Sequence, residues 1–303
     1  MISSDSAGFR SGFVGIVGKP NVGKSTILNA ILKRKISIVS PKPQTTRHRI
    51  LGILTRKDAQ LIFIDSPGWA KPQHLFGRHL ITVAKGVIED ADVLVMVIDA
   101  RAGLSREDEW VFQEVQRANR PAILVINKVD LVSKPLLLPL MEDCAKRGLF
   151  QAVVPMSAKT GENMPALLQA VSRLLPEGPR WYEADQITDQ TTTQIIREFI
   201  REQVLLATHQ EVPHAVAVMV DRIEEKETVT VIEATILVER DSHKAILIGK
   251  RGQMLKHIGT EARVELQRWL GRKIFLELWV KVAKDWREKP ALLRQLGYEE
   301  TGV

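Results

Sequence analysis

The chain has 303 residues, 45% of them apolar, a net charge of +7 and one cysteine, Cys144. One cysteine excludes an internal disulfide framework and points to a reducing compartment, the apolar content excludes a disordered chain, and no apolar run nears the ~20 residues of a membrane-spanning helix. Residues 1–12 lack the apolar core of a secretory signal, so a soluble, cytoplasmic protein of two domains is expected.

In chain order, the first apolar run is Phe13–Val17, with the length and β-branched content of a buried parallel strand. It leads into Gly18-Lys19-Pro20-Asn21-Val22-Gly23-Lys24-Ser25, which fits GxxxxGK[ST], and then a helix carrying Thr26. In such a loop successive backbone N–H groups face one centre, the helix start adds its positive dipole end, and a phosphate chain replaces water there. Lys24 is the point charge for the β- and γ-phosphates and Ser25 a magnesium ligand. Next comes the polar stretch Gln44-Thr45-Thr46-Arg47. A threonine hydroxyl here would ligate magnesium only with γ-phosphate present, making loop order depend on nucleotide; Thr46 is favoured over Thr45.

The run Leu61–Ile64 ends in Asp65-Ser66-Pro67-Gly68. The aspartate suits a magnesium water shell and the Gly68 N–H suits a γ-phosphate oxygen. After the run Val93–Ile98 and the helical pattern Glu107–Ala118 comes Ala122–Ile126, followed at once by Asn127-Lys128-Val129-Asp130. The Asp130 carboxylate accepts from guanine's ring N–H and exocyclic amino group. Adenine presents neither in that arrangement, so discrimination of ~10⁴ is within reach and an ATP-using phosphotransferase is excluded. Asn127 is expected to tie this loop to the phosphate loop, and the Lys128 stem to cover the base. The run Ala152–Val154 leads to Ser157-Ala158-Lys159, where the Ala158 N–H would meet guanine O6, and the helical pattern Met164–Leu175 closes the region. This alternation predicts a doubly wound, mostly parallel α/β domain over 1–175 with its ligand at the strand ends.

Residues 176–190, rich in proline and polar side chains, read as a linker. Beyond it, 191–303 reads as a small α+β domain: an amphipathic helix over 191–209, strands Ala215–Ile223 and Val229–Val238, a short helix, a Gly249-Lys250-Arg251-Gly252 turn, a longer helix and a strand Ile274–Val282. The longer helix has its apolar stripe at Met254, Ile258, Ala262, Leu266 and Leu270. Charge is uneven: residues 1–180 hold 25 Lys+Arg against 16 Asp+Glu, residues 181–303 hold 18 against 20, and 240–289 alone hold 13 against 6. His48, His74, His79, His214, His243 and His257 have no metal-site spacing and read as surface or packing residues.

With these residues in place, the first part resembles a translation-factor-type GTPase, closest to the bacterial Era family in the wording of its phosphate loop, of Gln-Thr-Thr-Arg and of Asp-Ser-Pro-Gly. The stretch Ile246 to Gly259 is similar to the signature of a type II KH domain. The resemblance covers nearly the whole chain and implies a magnesium-dependent GTPase that binds GTP and GDP. It also implies a partner, the 3′ end of small-subunit ribosomal RNA, with a role in assembling the small ribosomal subunit. A weak peripheral association with the inner face of the cell membrane is implied too. The chain is expected to be a monomer.

The Gly-x-x-Gly turn lacks Cβ atoms between two helices, so an RNA backbone can approach the N–H groups there. Ile248, Gly249, Lys250, Arg251, Gly252 and Lys256 are the candidate RNA contacts, with Ile246–Ile248 and Ile258 flooring the groove. Aromatic side chains are scarce here, so stacking platforms are not expected and clamping with hydrogen bonding is. For hydrolysis, the candidates acting on the γ-phosphate are Asn21, Lys24, Thr46 and Gly68. Trp69 stands where Ras-like enzymes carry the glutamine that orients water, which implies slow intrinsic turnover. The resemblance offers Asn21 as the holder of a potassium ion near the β–γ bridge. Three readings stay open: a nucleotide-gated RNA switch, an RNA-binding assembly factor whose nucleotide times release, and a membrane-linked GTPase with a protein-docking KH surface.

Overall fold

The computed structural model of the chain describes residues 8–69, 75–209 and 212–298. They divide into two compact units. The first comprises Met1–Ser37, Thr46–Lys71 and Leu80–Asp189, the second Ile38–Thr45, Pro72–His79 and Gln190–Val303. Among the described residues no helix is long and apolar enough to cross a membrane.

The first unit holds a six-stranded sheet of β1 (Arg10–Val17), β2 (Ile50–Thr55), β3 (Ala59–Asp65), β4 (Val93–Asp99), β5 (Ala122–Asn127) and β6 (Ala152–Pro155), in the order β2-β3-β1-β4-β5-β6. All neighbours are parallel except β2, which runs antiparallel to β3. Its helices are α1 (Lys24–Leu32), α2 (Leu75–Asp90, its first turn in the second unit), α3 (Arg106–Ala118), α4 (Lys134–Lys146) and α5 (Met164–Leu174). Alternate residues along each strand enter opposite layers. Val14, Phe63, Val95 and Val125 pack towards α1 and α5, whereas Ile62, Leu94, Met96 and Leu124 pack with Ala84, Val87, Val111 and Phe112 of α2 and α3. Burial on both faces is why these strands are continuous apolar runs. Cys144 of α4 lies in the second layer with no exposed surface, and burial pushes its thiol up to about 11.

Three elements of the first unit have no counterpart in the sequence reading. β2 follows a polar basic stretch, and α4 contains Pro139 and exposes Leu136 and Leu138, so neither shows a clean period. The first turn of α2 follows residues outside the described set. The stretch 176–190 is not a loose linker. The Gln60 amide donates to the Tyr182 carbonyl at 2.9 Å and accepts from Trp181 N at 2.8 Å, and Ile53 N donates to Ile187 O at 2.9 Å. These residues, expected as a linker, are held along the sheet of the first unit by these hydrogen bonds.

The second unit begins its helical part with α6 (Thr192–Ala207), started by a reciprocal capping box between Thr191 and Gln194. There follow β7 (Ala217–Glu225), β8 (Val229–Val238), α7 (Asp241–Ile248), α8 (Gln253–Leu270), β9 (Lys273–Val282) and α9 (Pro290–Gln295). The sheet order is β7-β8-β9, with β7 antiparallel and β9 parallel to β8. Ile196, Phe199 and Ile200 of α6 and Ile258, Ala262 and Leu266 of α8 bury one sheet face. The segment Ile38–Thr45 is part of this unit: Ile38 is fully buried in its core, Val39 N donates to Glu202 Oε1 at 2.9 Å, and the buried Arg201 guanidinium bonds both Glu198 and the Thr45 carbonyl. Phe76 packs on Tyr298 and Trp286, with ring centroids 4.9 and 5.6 Å apart.

Candidate functional site

Strand register brings the motifs of the first unit to one edge. Ile16 on β1 pairs with Asp65 on β3, and Asp99 on β4 pairs with Asn127 on β5. The phosphate loop, the Asp65–Gly68 turn and the Asn127–Asp130 loop therefore all leave the sheet at the same carboxyl ends, beside the point where strand order reverses around β1.

The loop from Gly18 to Ser25 is held at many points. Lys24 Nζ donates to the carbonyls of Gly18 and Lys19 at 3.0 and 2.9 Å. Burial pulls its pKa down to about 8, partly offset by Asp65, and a phosphate chain would hold it in the charged form. Asn127 Nδ2 donates to Val22 O at 2.8 Å while Asn127 Oδ1 accepts from Ala158 N at 3.0 Å. One buried amide thus ties the phosphate loop to both base-facing loops. Gly23 sits at φ 103°, and a Cβ there would meet Asn127 Nδ2 at 2.2 Å, so this crossing requires glycine. Lys128 Nζ reaches Asn21 O and Asp99 Oδ2, each at 2.6 Å. Burial would raise the Asp99 carboxyl, but the Lys128 and backbone hydrogen bonds outweigh it and hold it below the ordinary range. Asp130 is exposed and bonds no described residue, leaving its carboxylate for a base. Ser157 is buried and Lys159 exposed.

A cluster of oxygens stands at the end of β3. Ser25 Oγ donates to Asp65 Oδ2 at 2.6 Å, Ser37 Oγ donates to the same oxygen at 2.9 Å, and Ser25 Oγ lies 2.9 Å from Thr46 Oγ1. The Thr45 hydroxyl turns away to Lys42 O at 2.7 Å and Ser40 Oγ at 2.8 Å. Asp65 is fully buried, its other oxygen Oδ1 has no hydrogen-bond partner, and burial raises its pKa against the pull of Lys24 and the three hydroxyls. An orphaned carboxylate oxygen among hard oxygen donors fits a magnesium ion. Ser66 instead bonds Ile16 O at 2.8 Å, a structural contact. Gly68 packs on Pro20, where a Cβ would come within 2.7 Å. Trp69 is 6% exposed, its side chain sunk in the core and its N–H on Gly18 O at 3.1 Å.

Five supporting positions, Asn29, Ser37, Asp99, Ser105 and Asp108, escape motif reading. Ser37 is aimed at Asp65 because Asn29 of α1 grips the backbone of Ile36 and Ser37 through three hydrogen bonds. Lys19 Nζ reaches Asp108 Oδ2 at 2.6 Å and Ser105 Oγ at 3.0 Å, so the N-cap of α3 lashes the phosphate loop. Asp108 is fully buried. Removing its cation should leave a buried charge poorly compensated: Lys19→Ala is expected to lower stability by about 3 kcal/mol, with Lys19→Arg milder, read from thermal melts.

In the second unit, Gly249 and Gly252 flank Lys250 and Arg251 between α7 and α8. Gly249, at φ 69°, has no room for a Cβ, which would strike Met254 at 2.7 Å. Gly252, at φ 76°, faces open space. Lys250, Arg251 and Lys256 are exposed and Ile248 half-buried. Beside Gly252 runs a groove of about 440 Å³ lined by Leu255, Gly259 and Arg263 of α8 and Phe275, Leu276 and Leu278 of β9. Its floor differs from the expected one. Leu247 and Ile258 are fully buried in the core and Ile246 is 49% exposed, because the helical period turns Ile258 with Ala262 and Leu266 inward. Aromatic side chains are indeed scarce in the groove lining, with Phe275, from a strand further along the chain, the one present among the described residues. Among the described residues no His, Cys, Asp or Glu group makes a metal cluster. His74 and the side chain of His214 lie outside what is described.

Residues 13–128 match the family described as 50S ribosome-binding GTPase, and residues 211–287 match the KH domain family. GTPase Era of Staphylococcus haemolyticus is 45% identical over 292 residues, covering 96% of this chain and 98% of that protein. A point variant of Aquifex aeolicus Era bound to GDP·AlF4− superposes with a TM-score of 0.93 at 42% identity, covering 96% of this chain and 99% of that one. Era in complex with MgGDPNP and nucleotides 1506–1542 of 16S ribosomal RNA gives a TM-score of 0.93 at 41% identity with the same coverage.

Proposed function

The chain belongs to the Era family, making it a P-loop GTPase with a KH domain, and on that premise we propose that it holds the 3′ region of small-subunit ribosomal RNA in a nucleotide-dependent way during assembly of the small subunit. The observation that carries this reading is the open Gly249–Gly252 turn beside its groove, on a chain whose relative has been seen in complex with MgGDPNP and nucleotides 1506–1542 of 16S ribosomal RNA. The description of the first-unit family names the large subunit, but it covers only residues 13–128, and the RNA in that relative's complex supports the small one.

For the GTPase step, magnesium bound among Ser25, Asp65 and Thr46 would neutralise phosphate charge. Lys24 would turn its ammonium from the loop carbonyls to the phosphates, and the Gly68 N–H would meet a γ-phosphate oxygen. Trp69 carries no amide to orient water and is buried, which supports slow intrinsic turnover. Asn21, held at φ 64° with its carbonyl under Lys128, offers a neutral side-chain oxygen for potassium. Turnover is expected to rise several-fold in potassium over sodium chloride, and Asn21→Ala to erase that rise; equal rates in both salts remove potassium from the scheme.

The test of the RNA reading is Gly252→Asp, measured by crosslinking and by titration with a 3′-end ribosomal RNA fragment, in GDP and in a non-hydrolysable GTP analogue. Because Gly252 faces open space, the new carboxylate meets the RNA backbone and not the fold. RNA affinity is expected to fall by about ten-fold or more. Unchanged crosslinks would make the turn structural. Equal binding in both nucleotide states would favour an assembly factor whose nucleotide only times release.

A further inference from the structure

We propose that Phe275 and Trp279, on the open edge of β9, form a stacking platform that carries single-stranded RNA onward from the Gly249–Gly252 turn. This rests on the RNA reading above and extends it to two further base contacts.

Alternation along β9 sorts its residues. Ile274 and Val280 are buried, and Leu276 and Leu278 pack against the same core, so Phe275, Glu277 and Trp279 face the other way. Phe275 is 52% exposed and Trp279 43% exposed. Both present an aromatic face to solvent, a geometry that a stacked base can cover. Among the described residues β9 pairs with no strand other than β8, so its other edge carries no strand.

Two features say what covers this edge. The first is continuity: Phe275 already lines the groove that starts at Gly252, and Trp279 lies four residues further, about 13 Å along the strand. That is a span for successive unstacked nucleotides on one path. The second is charge. Lys256 and Arg263 stand along the α8 side, Lys273 and Lys281 at the two ends of β9; all four are exposed and none makes an ion pair among the described residues. They suit a phosphate backbone running past the aromatic rings. Glu277 stands between Phe275 and Trp279 and repels phosphate there, so bases, not backbone, must face the sheet. A base edge bearing an amino group would find a carboxylate acceptor at that point.

The experiment titrates the full-length protein, loaded with magnesium and a GTP analogue, with labelled single-stranded RNAs. One is about four nucleotides long, the length a Gly-x-x-Gly turn clamps, and one about twelve, both taken from the 3′ end of small-subunit RNA. Phe275→Ala and Trp279→Ala are each expected to weaken the longer RNA by about ten-fold, the scale of one lost base–aromatic stack, while Trp279→Phe keeps most of the affinity. Trp279 emission, taken as the difference between wild type and Trp279→Phe, should be quenched by the longer RNA and not by the shorter; this readout stands even where an alanine variant folds poorly. If Gly252→Asp weakens both RNAs while neither alanine variant weakens the longer one and no quench is seen, the platform is overturned and the aromatic edge belongs to a protein contact. If Gly252→Asp weakens neither, the RNA reading falls and the platform with it.

Discussion

Asp130→Asn is expected to lower GTP affinity by about 10³- to 10⁴-fold and to raise that for xanthosine triphosphate above it. The carboxylate follows β5, is exposed and bonds no described residue, so nothing in the fold depends on it. Its two oxygens match two donors on one edge of guanine. Asparagine turns one acceptor into a donor, which faces the exocyclic amino group of guanine but suits the carbonyl that xanthine carries there. A mismatched pair held out of water loses both partners' hydrogen bonds. The surrounding frame stays in place, since Asn127, Lys128 and Ala158 make their bonds without Asp130. Competition between fluorescent guanine and xanthine nucleotides checks this, with a thermal melt as control for folding. A GTP affinity within ten-fold of wild type would move base selection elsewhere.

Asp65→Ala is expected to reduce GTP turnover by about 10²-fold or more at saturating magnesium and nucleotide, with GDP affinity changed far less. The asymmetry follows from position. Asp65 accepts from Ser25 and Ser37 through one oxygen and leaves the other without a partner, so its removal strips the charge that a divalent ion needs while the base-facing loops keep their contacts. Asp65→Asn separates charge from shape: it can still accept from both serines. The two variants are expected to lose turnover alike, because the charge and not the hydrogen bonding is what metal binding draws on. Single-turnover rates and magnesium titrations of nucleotide-bound protein measure it. If Asp65→Asn kept wild-type turnover at low magnesium, that account would fail.

What the sequence makes legible is what local pattern encodes. β1, β3 and β5 are continuous apolar runs because both faces are covered, and each ends in a motif whose residue types follow from phosphate or base chemistry. β2 is hidden because its approach is basic and polar and it pairs antiparallel with β3. The residues that support the site are hidden for another reason. Asp108 meets Lys19 across 89 positions, Asp99 meets Lys128 across 29, and Ser37 meets Asp65 across 28. No spacing rule joins such pairs; only the register of the sheet does. Phe275 belongs to the same class, since β9 reaches the turn at Gly252 through tertiary packing alone. The groove floor was misplaced because Ile258 is apolar for the core, and apolarity does not say which wall a side chain faces.

The single cysteine has a practical consequence. Cys144 is fully buried and its thiol is pushed up to about 11, so at neutral pH it presents neither thiolate nor access to an alkylating reagent. The native chain is therefore already a blank for thiol chemistry. A cysteine placed at an exposed site in each unit, Lys57 in the first and Glu227 in the second, accepts a dye pair without any background substitution, and the distance between dyes can be followed through a GTP cycle in the otherwise unaltered protein.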